Sequence, residues 1–309
     1  MITEQMSATS PPVDNESIIH AEEPDKVRRQ VTTAITLTLR YGLLLIYMAI
    51  CIYPFLWMLA TSLRDQRSVF KAGTSLMVSN PNWNNYVEIW NSMNVPRAAF
   101  NTALVTAVVM ALTIFTTSMC AYALARSNFP GRQAIMFALL VTLLIPGEML
   151  IIPTFYVNRS LHLVGDGKAL LAVILVMTAG GQVFNIFLML SHFRTVPRDL
   201  YDSAALDGES YFGIYHRIAF PLIRPAVATV VLLTFMGVWN AYMIPLVYLT
   251  PLPDFQTLTI ALIQYSKQFQ TLYHIMAAGA VITLVPVMIV FLILQKYFIS
   301  GLTEGALKG

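Results

Sequence analysis

The sequence predicts an all-α integral membrane protein with six transmembrane helices and a short cytoplasmic helix between the fourth and the fifth of them. Hydrophobic residues make up 57% of the 309-residue chain and charged residues only 11%, whereas about a quarter of the residues in a soluble domain are charged. Six apolar runs are long enough to cross about 30 Å of hydrocarbon as helices. A membrane β-barrel would instead show alternating segments of about 10 residues, and the sequence has no such pattern.

The first apolar run follows a polar and acidic segment. Residues 1–36 contain three prolines and an acidic cluster at 22–25, a composition that predicts a disordered cytoplasmic tail. Residues 41–63 form an apolar run longer than the core of a signal peptide, so we interpret them as an uncleaved first span. Residues 37–309 then form one membrane domain with six helices.

The other five runs each contain about 18 or more largely apolar residues. They are residues 102–125, 134–157, 169–190, 222–249 and 275–299. Four prolines interrupt these spans, and each removes a backbone hydrogen bond that neighbouring helices must compensate. These prolines are Pro146, Pro153, Pro245 and Pro286. Kinked helices favour a transport pathway, although proline is common in transmembrane helices of every kind.

The basic residues predict the orientation of the chain. With the N-terminus inside, 12 of the 19 Lys and Arg residues lie in inner segments and 7 in outer segments. Because cytoplasmic loops carry an excess of Lys and Arg, both termini are predicted to be cytoplasmic. The basic residues form short clusters at span ends and no continuous patch, which argues against nucleic-acid binding. Cys51 and Cys120 lie inside apolar runs and are interpreted as small hydrophobic residues, not as a disulfide or metal site.

Residues 195–221, between the fourth and fifth spans, carry the start and stop signals of a short helix. Pro197 fits its first position, and Asp199 and Asp202 lie in its opening turns, where the helix dipole favours negative charge. Gly208 fits the C-terminal cap. We therefore expect a helix of about ten residues, roughly 15 Å long.

One face of this helix is predicted to be small and nearly flat, so that another protein can approach it closely. The residues that share it are Leu200, Ser203, Ala204 and Asp207. Ser210 can cap a second short helix, whose apolar residues would form a hydrophobic knob. The knob residues are Tyr211, Ile214, Tyr215 and Ile218. The residues alone leave two interpretations open: docking on a cytoplasmic partner, or an amphipathic hairpin on the lipid headgroups.

The segment YDSAALDGESYFGIYHRIAFPLIRPA (residues 201–226) resembles the EAA loop of ATP-binding cassette importer permeases. That loop contains an acid, two small residues, an Asp-Gly pair and a downstream proline. The matching residues here are Asp202, Ser203, Ala204, Asp207, Gly208 and Pro221. Serine stands in place of the usual first alanine and aspartate in place of the usual glutamate, and both changes keep size and charge.

Three further segments are similar to the carbohydrate branch of this family, specifically to the second permease of maltose-type systems. They are YPFLWMLATSLR (53–64), FPGRQAIMFALLVTLLIPGEMLIIP (129–153) and QKYFISGLTEGALKG (295–309). The pattern departs from the family in the fifth span, where Ala241 follows Trp239 and Asn240 in place of an acid or asparagine.

The resemblance implies a type I importer permease fold in the lipid of a bacterial or archaeal cell (inner) membrane. It implies four partners: a homologous second permease in a heterodimer, two ATP-binding cassette ATPase subunits, an extracytoplasmic sugar-binding protein, and a carbohydrate substrate. No G-x-x-x-x-G-K-S/T loop occurs in the sequence, so we expect a chain that is not an enzyme and binds no cofactor, with ATP and Mg used by the partner ATPase. The residues implied to couple to that ATPase are Asp202, Ser203, Ala204, Asp207, Gly208, Tyr211 and Tyr215. The C-terminal segment is implied to reach towards the ATPase, and the alternative is a frayed end.

Polar residues within the spans are candidates for the substrate path. Trp239 could stack on a sugar ring and Asn240 could hydrogen-bond its hydroxyls; the alternatives are an interfacial aromatic belt for Trp239 and helix packing for Asn240. Gln182 and Asn185 in the fourth span are further candidates.

Glu148 is the only acid deep in a span, and such carboxylates usually face the interior of a bundle. It therefore suggests an alternative function, a secondary proton-coupled solute transporter. The family resemblance instead favours a packing or gating role for Glu148 in an ATP-driven importer. A receptor or scaffold would not need so many spans interrupted by proline.

Overall fold

The computed structural model describes residues 23–165, 167–268 and 272–306, and every regular element within those ranges is helical. The chain divides into two units, Met1–Trp57 and Met58–Gly309. The first helix, α1, spans Glu23–Ser62. The expectation of a disordered tail is therefore wrong for residues 23–36, while residues 1–22 lie outside the described part of the chain.

The remaining helices belong to the second unit. They are α2 Gln66–Ala72, α3 Asn84–Ser92, α4 Val95–Arg126, α5 Arg132–Thr142, α6 Ile151–Ser160, α7 Ala169–Gly180, α8 Gln182–Thr195, α9 Arg198–Leu206, α10 Tyr211–Leu222, α11 Arg224–Trp239, α12 Met243–Leu249, α13 Leu258–Gln268 and α14 Tyr273–Ala306. Short 3₁₀ turns lie at Gly147–Leu150 and Pro253–Phe255.

Three helical segments are long and apolar enough to cross a membrane unbroken: Thr32–Ser62, Val95–Arg126 and Tyr273–Ile293. Three helix pairs meet the same criterion together but bend at a break. The bend is 90° between α5 and the helical segment that contains α6, 47° between α7 and α8, and 78° between α10 and α11. The expected six spans are reached when each bent pair counts as one span.

The prolines do not all break the helices as expected. Pro146 lies directly before the 3₁₀ turn and within the 90° break. Pro153 occupies the first turn of α6, where the backbone N–H groups have no partner within the helix in any case. Pro286 lies within the unbroken helix α14. In the predicted fifth span the interruption falls at residues 240–242, ahead of Pro245, which belongs to α12.

The helix α4 is the centre of the second unit and packs against α7, α8 and α11. Small polar residues line its buried side: Thr102, Thr106, Thr113, Thr117 and Ser118. Several of them satisfy their own hydroxyls within the helix, as Thr117 does by donating to the carbonyl of Thr113 at 2.6 Å. Small residues with satisfied hydroxyls let neighbouring helices approach closely in an apolar environment.

Candidate functional site

The loop between α8 and α11 folds as two short helices, α9 and α10. The first begins at Arg198, one residue later than predicted, so that Pro197 is the N-cap. It has nine residues with Asp199 in the first turn, close to the length of ten that the sequence suggested.

Gly208 ends α9 as predicted. Its φ is +81°, a left-handed conformation that favours glycine. The N–H of Gly208 donates to the carbonyl of Ala205 at 3.1 Å, and that of Glu209 to the carbonyl of Ala204 at 3.0 Å. This pair of bonds is a Schellman cap, which satisfies carbonyls that the helix end would leave without partners.

Ser210 caps α10 as predicted, because its hydroxyl accepts a hydrogen bond from the N–H of Gly213 at 3.0 Å. The helix then widens into a π-turn at Tyr215–Ala219. Both ends of the short connection between α9 and α10 are therefore fixed by local hydrogen bonds, and α9 cannot swing freely about it.

The exposed face of α9 is shifted by one position along the sequence relative to the predicted one, so that the two sets of four residues share only Ser203. Tyr201 and Ala204 are buried, so the expectation that Ala204 lies on an open docking face is wrong. The residues that share the exposed face at positions i, i+3, i+4 and i+7 are Asp199, Asp202, Ser203 and Leu206. Leu206 is 89% exposed, and Asp199 and Asp202 lie on the same face about two turns and one turn before it.

The hydrophobic knob of α10 packs inward against α4. Tyr215 is buried, and its hydroxyl lies 2.8 Å from that of Ser118. Tyr211 remains half exposed, with its hydroxyl 2.8 Å from that of Ser127. Their ring centroids lie 5.2 Å and 4.8 Å from that of Tyr122. The knob is therefore part of the hydrophobic core, and its expected role as a protruding contact is wrong for Tyr215.

Arg126, the last residue of α4, connects three elements. Its guanidinium carbon lies 3.8 Å from the centroid of the Tyr201 ring in α9. Its Nη2 donates to the carbonyl of Phe193 in α8 at 2.7 Å and to the carbonyl of Val196 just after that helix. Sequence reasoning missed this role, because Arg126 served there only as one of the basic residues that indicate orientation.

The contact between Arg126 and Tyr201 is a cation–π interaction. Burial raises the pKa of the Tyr201 phenol, and the positive charge of Arg126 partly offsets the rise. Because the pKa lies above the ordinary value of about 10, the ring is neutral at physiological pH. A cation over the face of a neutral aromatic ring contributes about 0.5–2 kcal/mol, depending on desolvation.

A cavity of about 740 Å³ lies where three helices are interrupted. Its wall includes Gly147 and Glu148 after α5, Gly180 and Gly181 between α7 and α8, and Ala241 and Tyr242 between α11 and α12. Interrupted backbone at membrane depth is tolerated where it lines a cavity within the protein. The three helix breaks therefore form part of the wall of the same cavity.

Two of the predicted path residues, Glu148 and Asn185, line this cavity. Glu148 is exposed, and within the described residues no group donates a hydrogen bond to its carboxylate, while its backbone carbonyl accepts from the N–H of Ile151. Asn185 is buried in the wall. Other polar side chains of the wall were not predicted: Thr113, Thr154, Asn158, Thr234 and Tyr242.

The other three path candidates lie outside the cavity wall. Trp239 is buried, donates from Nε1 to the carbonyl of Thr283 at 3.2 Å, and stacks on Phe235 at 5.3 Å. It therefore packs α11 against α14, and its burial also excludes an interfacial belt role. Asn240 is exposed, and its Nδ2 donates to the carbonyl of Met236 one turn earlier in α11 at 2.9 Å, a bond within one helix that supports neither a sugar contact nor packing between helices. The Oε1 of Gln182 accepts from the hydroxyl of Thr116 at 2.8 Å, which connects α8 to α4.

A family model described as "Binding-protein-dependent transport system inner membrane component" matches residues 113–304, which contain α9, the cavity and the helix breaks. The chain belongs to this family. It is thus a multi-pass permease of a transport system, and membership does not favour the alternative of a secondary proton-coupled transporter.

Curated relatives extend the similarity over most of the permease. It is 30% identical to the probable ABC transporter permease protein YurM of Bacillus subtilis over 292 residues, which cover 94% of each chain. It is 32% identical to the arabinooligosaccharides transport system permease protein AraQ of the same organism, covering 89% of this chain and 96% of the relative. The diacetylchitobiose uptake system permease protein NgcG of Streptomyces coelicolor is 29% identical, with 87% and 88% covered.

Solved structures share the fold. One is titled as a bacterial ABC transporter involved in the import of the acidic polysaccharide alginate, and it matches with a TM-score of 0.74 and 23% identity. The match covers 86% of this permease and 98% of that chain. The type I importer permease fold expected from the sequence is therefore confirmed.

Proposed function

We propose that this permease is one of two membrane subunits of an ATP-driven, binding-protein-dependent importer of oligosaccharides. The names of its relatives support this substrate class, since they transport arabinooligosaccharides and diacetylchitobiose. The partners are a homologous second permease, two ATPase subunits that use ATP and Mg, and an extracytoplasmic sugar-binding protein. In this arrangement α9 and both chain termini are cytoplasmic.

The observation that carries the proposal is the geometry of α9. The helix is capped at its C-terminal end and held on its buried side by Arg126, and it presents Leu206 on a face that also carries Asp199 and Asp202. A rigid helix with one apolar residue on its exposed face is suited to insertion into a socket on another protein. We infer that this socket belongs to the ATPase subunit.

Force is then transmitted through residues of this chain. When ATP closes the ATPase dimer, α9 moves with the socket, and the contact of Tyr201 with Arg126 carries the movement to α4 and α8. Rigid-body displacement of packed helices is a common form of such transitions. Because the spans around the cavity are already interrupted, they can re-pack without breaking further backbone hydrogen bonds.

The decisive test compares Leu206→Ser with Leu200→Ser in the complete transporter, reconstituted in vesicles with its binding protein. Leu200 lies in the same helix and is about half as exposed as Leu206, and it is not one of the four residues that share the face of Leu206. Burial of a leucine side chain in a socket contributes about 1.5–3 kcal/mol. Leu206→Ser is therefore expected to lower ATP-dependent sugar uptake by about tenfold or more. Leu200→Ser should retain uptake.

Two outcomes would overturn the proposal. Uptake by Leu206→Ser equal to that of the original protein, with the ATPase still bound, would remove α9 from the coupling contact. Uptake that needs no ATP and collapses with a protonophore would instead indicate the proton-coupled alternative. Equal melting temperatures for the two variants would establish that misfolding does not account for the difference.

A further inference from the structure

The cavity at the helix breaks carries a single charged side chain. Among the described residues that form its wall, Glu148 is the only ionisable acid or base apart from the phenol of Tyr242. Its other polar side chains are hydroxyls and amides, including Thr113, Thr154 and Asn158. The wall that this permease contributes to the cavity therefore carries one carboxylate as its charge.

The position of Glu148 explains why its charge is available to a ligand. It is the second residue of the 3₁₀ turn Gly147–Leu150, which follows the 90° break after α5. The break directs the chain along the cavity wall, and within the described residues the carboxylate has no hydrogen-bond donor and no cationic partner. An acid that served only to hold two helices together would have such a partner.

The remaining wall matches an uncharged sugar. The volume of about 740 Å³ lies within the range of roughly 300–1,000 Å³ that is typical of small-molecule sites, which combine apolar surface with a few polar groups. Leu175 and Val176 supply apolar surface, while Thr154 and Asn185 supply hydroxyl and amide groups that can bond to sugar hydroxyls.

We propose that this cavity binds uncharged oligosaccharides during import and that Glu148 excludes anionic ones. The inference rests on the proposed import function and adds the charge class of the substrate. Two like charges about 10 Å apart in a protein environment of effective dielectric constant about 20 disfavour each other on the order of tenfold. An acidic sugar in the cavity would experience that penalty, and a neutral one would not.

The test measures the electrostatic effect with reagents whose only systematic difference is charge. The native cysteines are removed in a Cys51→Ala, Cys120→Ala background, and Thr154→Cys places a reporter thiol in the cavity wall. The complete transporter is then treated with an anionic or a cationic methanethiosulfonate of similar size. We expect the cationic reagent to react faster, and Glu148→Gln to shift the ratio of the two rates towards unity by about tenfold.

Two matched variants control the measurement. Glu148→Asp keeps the charge and should retain the original rate ratio, which a purely structural role for Glu148 would not predict. Ser160→Cys places the thiol on the same helix, α6, but outside the cavity wall, so its rate ratio should not respond to Glu148→Gln.

Protection of the reporter thiol identifies the ligand class. Diacetylchitobiose, as a neutral probe, should slow the labelling of Thr154→Cys, and a galacturonic acid dimer should do so only after Glu148→Gln. An unchanged rate ratio in Glu148→Gln, or equal protection by both sugars in the original protein, would overturn the inference. Failure of the proposed function is seen separately, as the absence of any ATP-dependent sugar uptake by the original transporter.

Discussion

Arg126 makes two kinds of contact with its neighbours, because its guanidinium has both a flat face and several N–H donors. The face stacks on Tyr201 while Nη2 bonds to the carbonyls that end α8. Burial raises the pKa of Tyr201 and the charge of Arg126 lowers it in part, so the stability contributed by the buried neutral phenol is complete below its ordinary pKa of about 10 and is lost only as the pH rises through the raised value. The phenol is therefore neutral throughout the physiological range, and the contact does not change there.

Arg126→Lys tests this role. A lysine keeps the charge but cannot stack on Tyr201 and bond to two carbonyls at once, and the lost interactions are worth about 2 kcal/mol. We expect the number of sugar molecules imported per ATP hydrolysed to fall about tenfold. Arg198→Lys is the control, because Arg198 is exposed at the start of α9. An unchanged ratio in Arg126→Lys would contradict the proposed transmission of movement through the contact of Arg126 with Tyr201.

The helix α9 shows how the periodicity of a sequence can indicate the wrong face of a helix. Its four residues at 199, 202, 203 and 206 are exposed, while the predicted set at 200, 203, 204 and 207 includes a buried alanine. The stripe of Tyr201 and Ala204 is covered because the rings of Tyr122 and Phe193 lie beneath it. Tertiary packing therefore places the exposed face of α9 one residue away from the face that the sequence pattern predicted.

Ala204→Glu and Ala205→Glu compare the same substitution at a buried and at an exposed position of α9. Ala204 is buried and Ala205 is exposed, so only the first substitution places a carboxylate in the apolar core. Burying an unpaired polar group costs several kcal/mol, and we expect Ala204→Glu to lower the melting temperature in detergent clearly. Ala205→Glu should melt like the original protein. Equal melting temperatures would mean that Ala204 faces solvent, as the sequence pattern suggested.

Three helices that are far apart in the sequence, α3, α13 and α14, meet at Gly279 in the second unit. A Cβ atom at this position of α14 would lie 2.7 Å from Leu262 of α13 and 3.0 Å from Ile89 of α3. Small residues allow such close approach where helices pack in membranes. The packing of three helices against one another therefore depends on the absence of a single methyl group.

Gly279→Ala is expected to be about 1–3 kcal/mol less stable than a glycine-to-alanine variant at an uncrowded helix position, because the neighbouring side chains must move to admit the methyl group. Gly237→Ala is the matched control, since it is also within a helix but has no atom within 4 Å of the added Cβ. Alanine favours helix over glycine by about 1 kcal/mol, so the control should be neutral or slightly stabilised. Thermal unfolding of the purified permease in detergent measures both, and a stable Gly279→Ala would contradict the close approach.

The class of protein, the six apolar spans and the caps at Gly208 and Ser210 could all be predicted from local features of the sequence. These features depend on local quantities: the length of an apolar run, the conformational freedom of glycine, and a hydroxyl within reach of the nearest backbone N–H. The EAA-like segment is likewise a local pattern, and the family comparison confirmed what it implied about the fold.

Which residues face the core, the cavity and the exterior depends on the packing of helices that are distant in the sequence. Periodicity states which side chains share a helix face, but it cannot state which face a neighbouring helix covers. For that reason Ala204, Tyr215 and Trp239 proved to be core residues, and the contact of Arg126 with Tyr201, 75 residues later in the chain, left no local signal. The same limit applies to Glu148, whose place in a cavity wall follows from three helix breaks that meet only after folding.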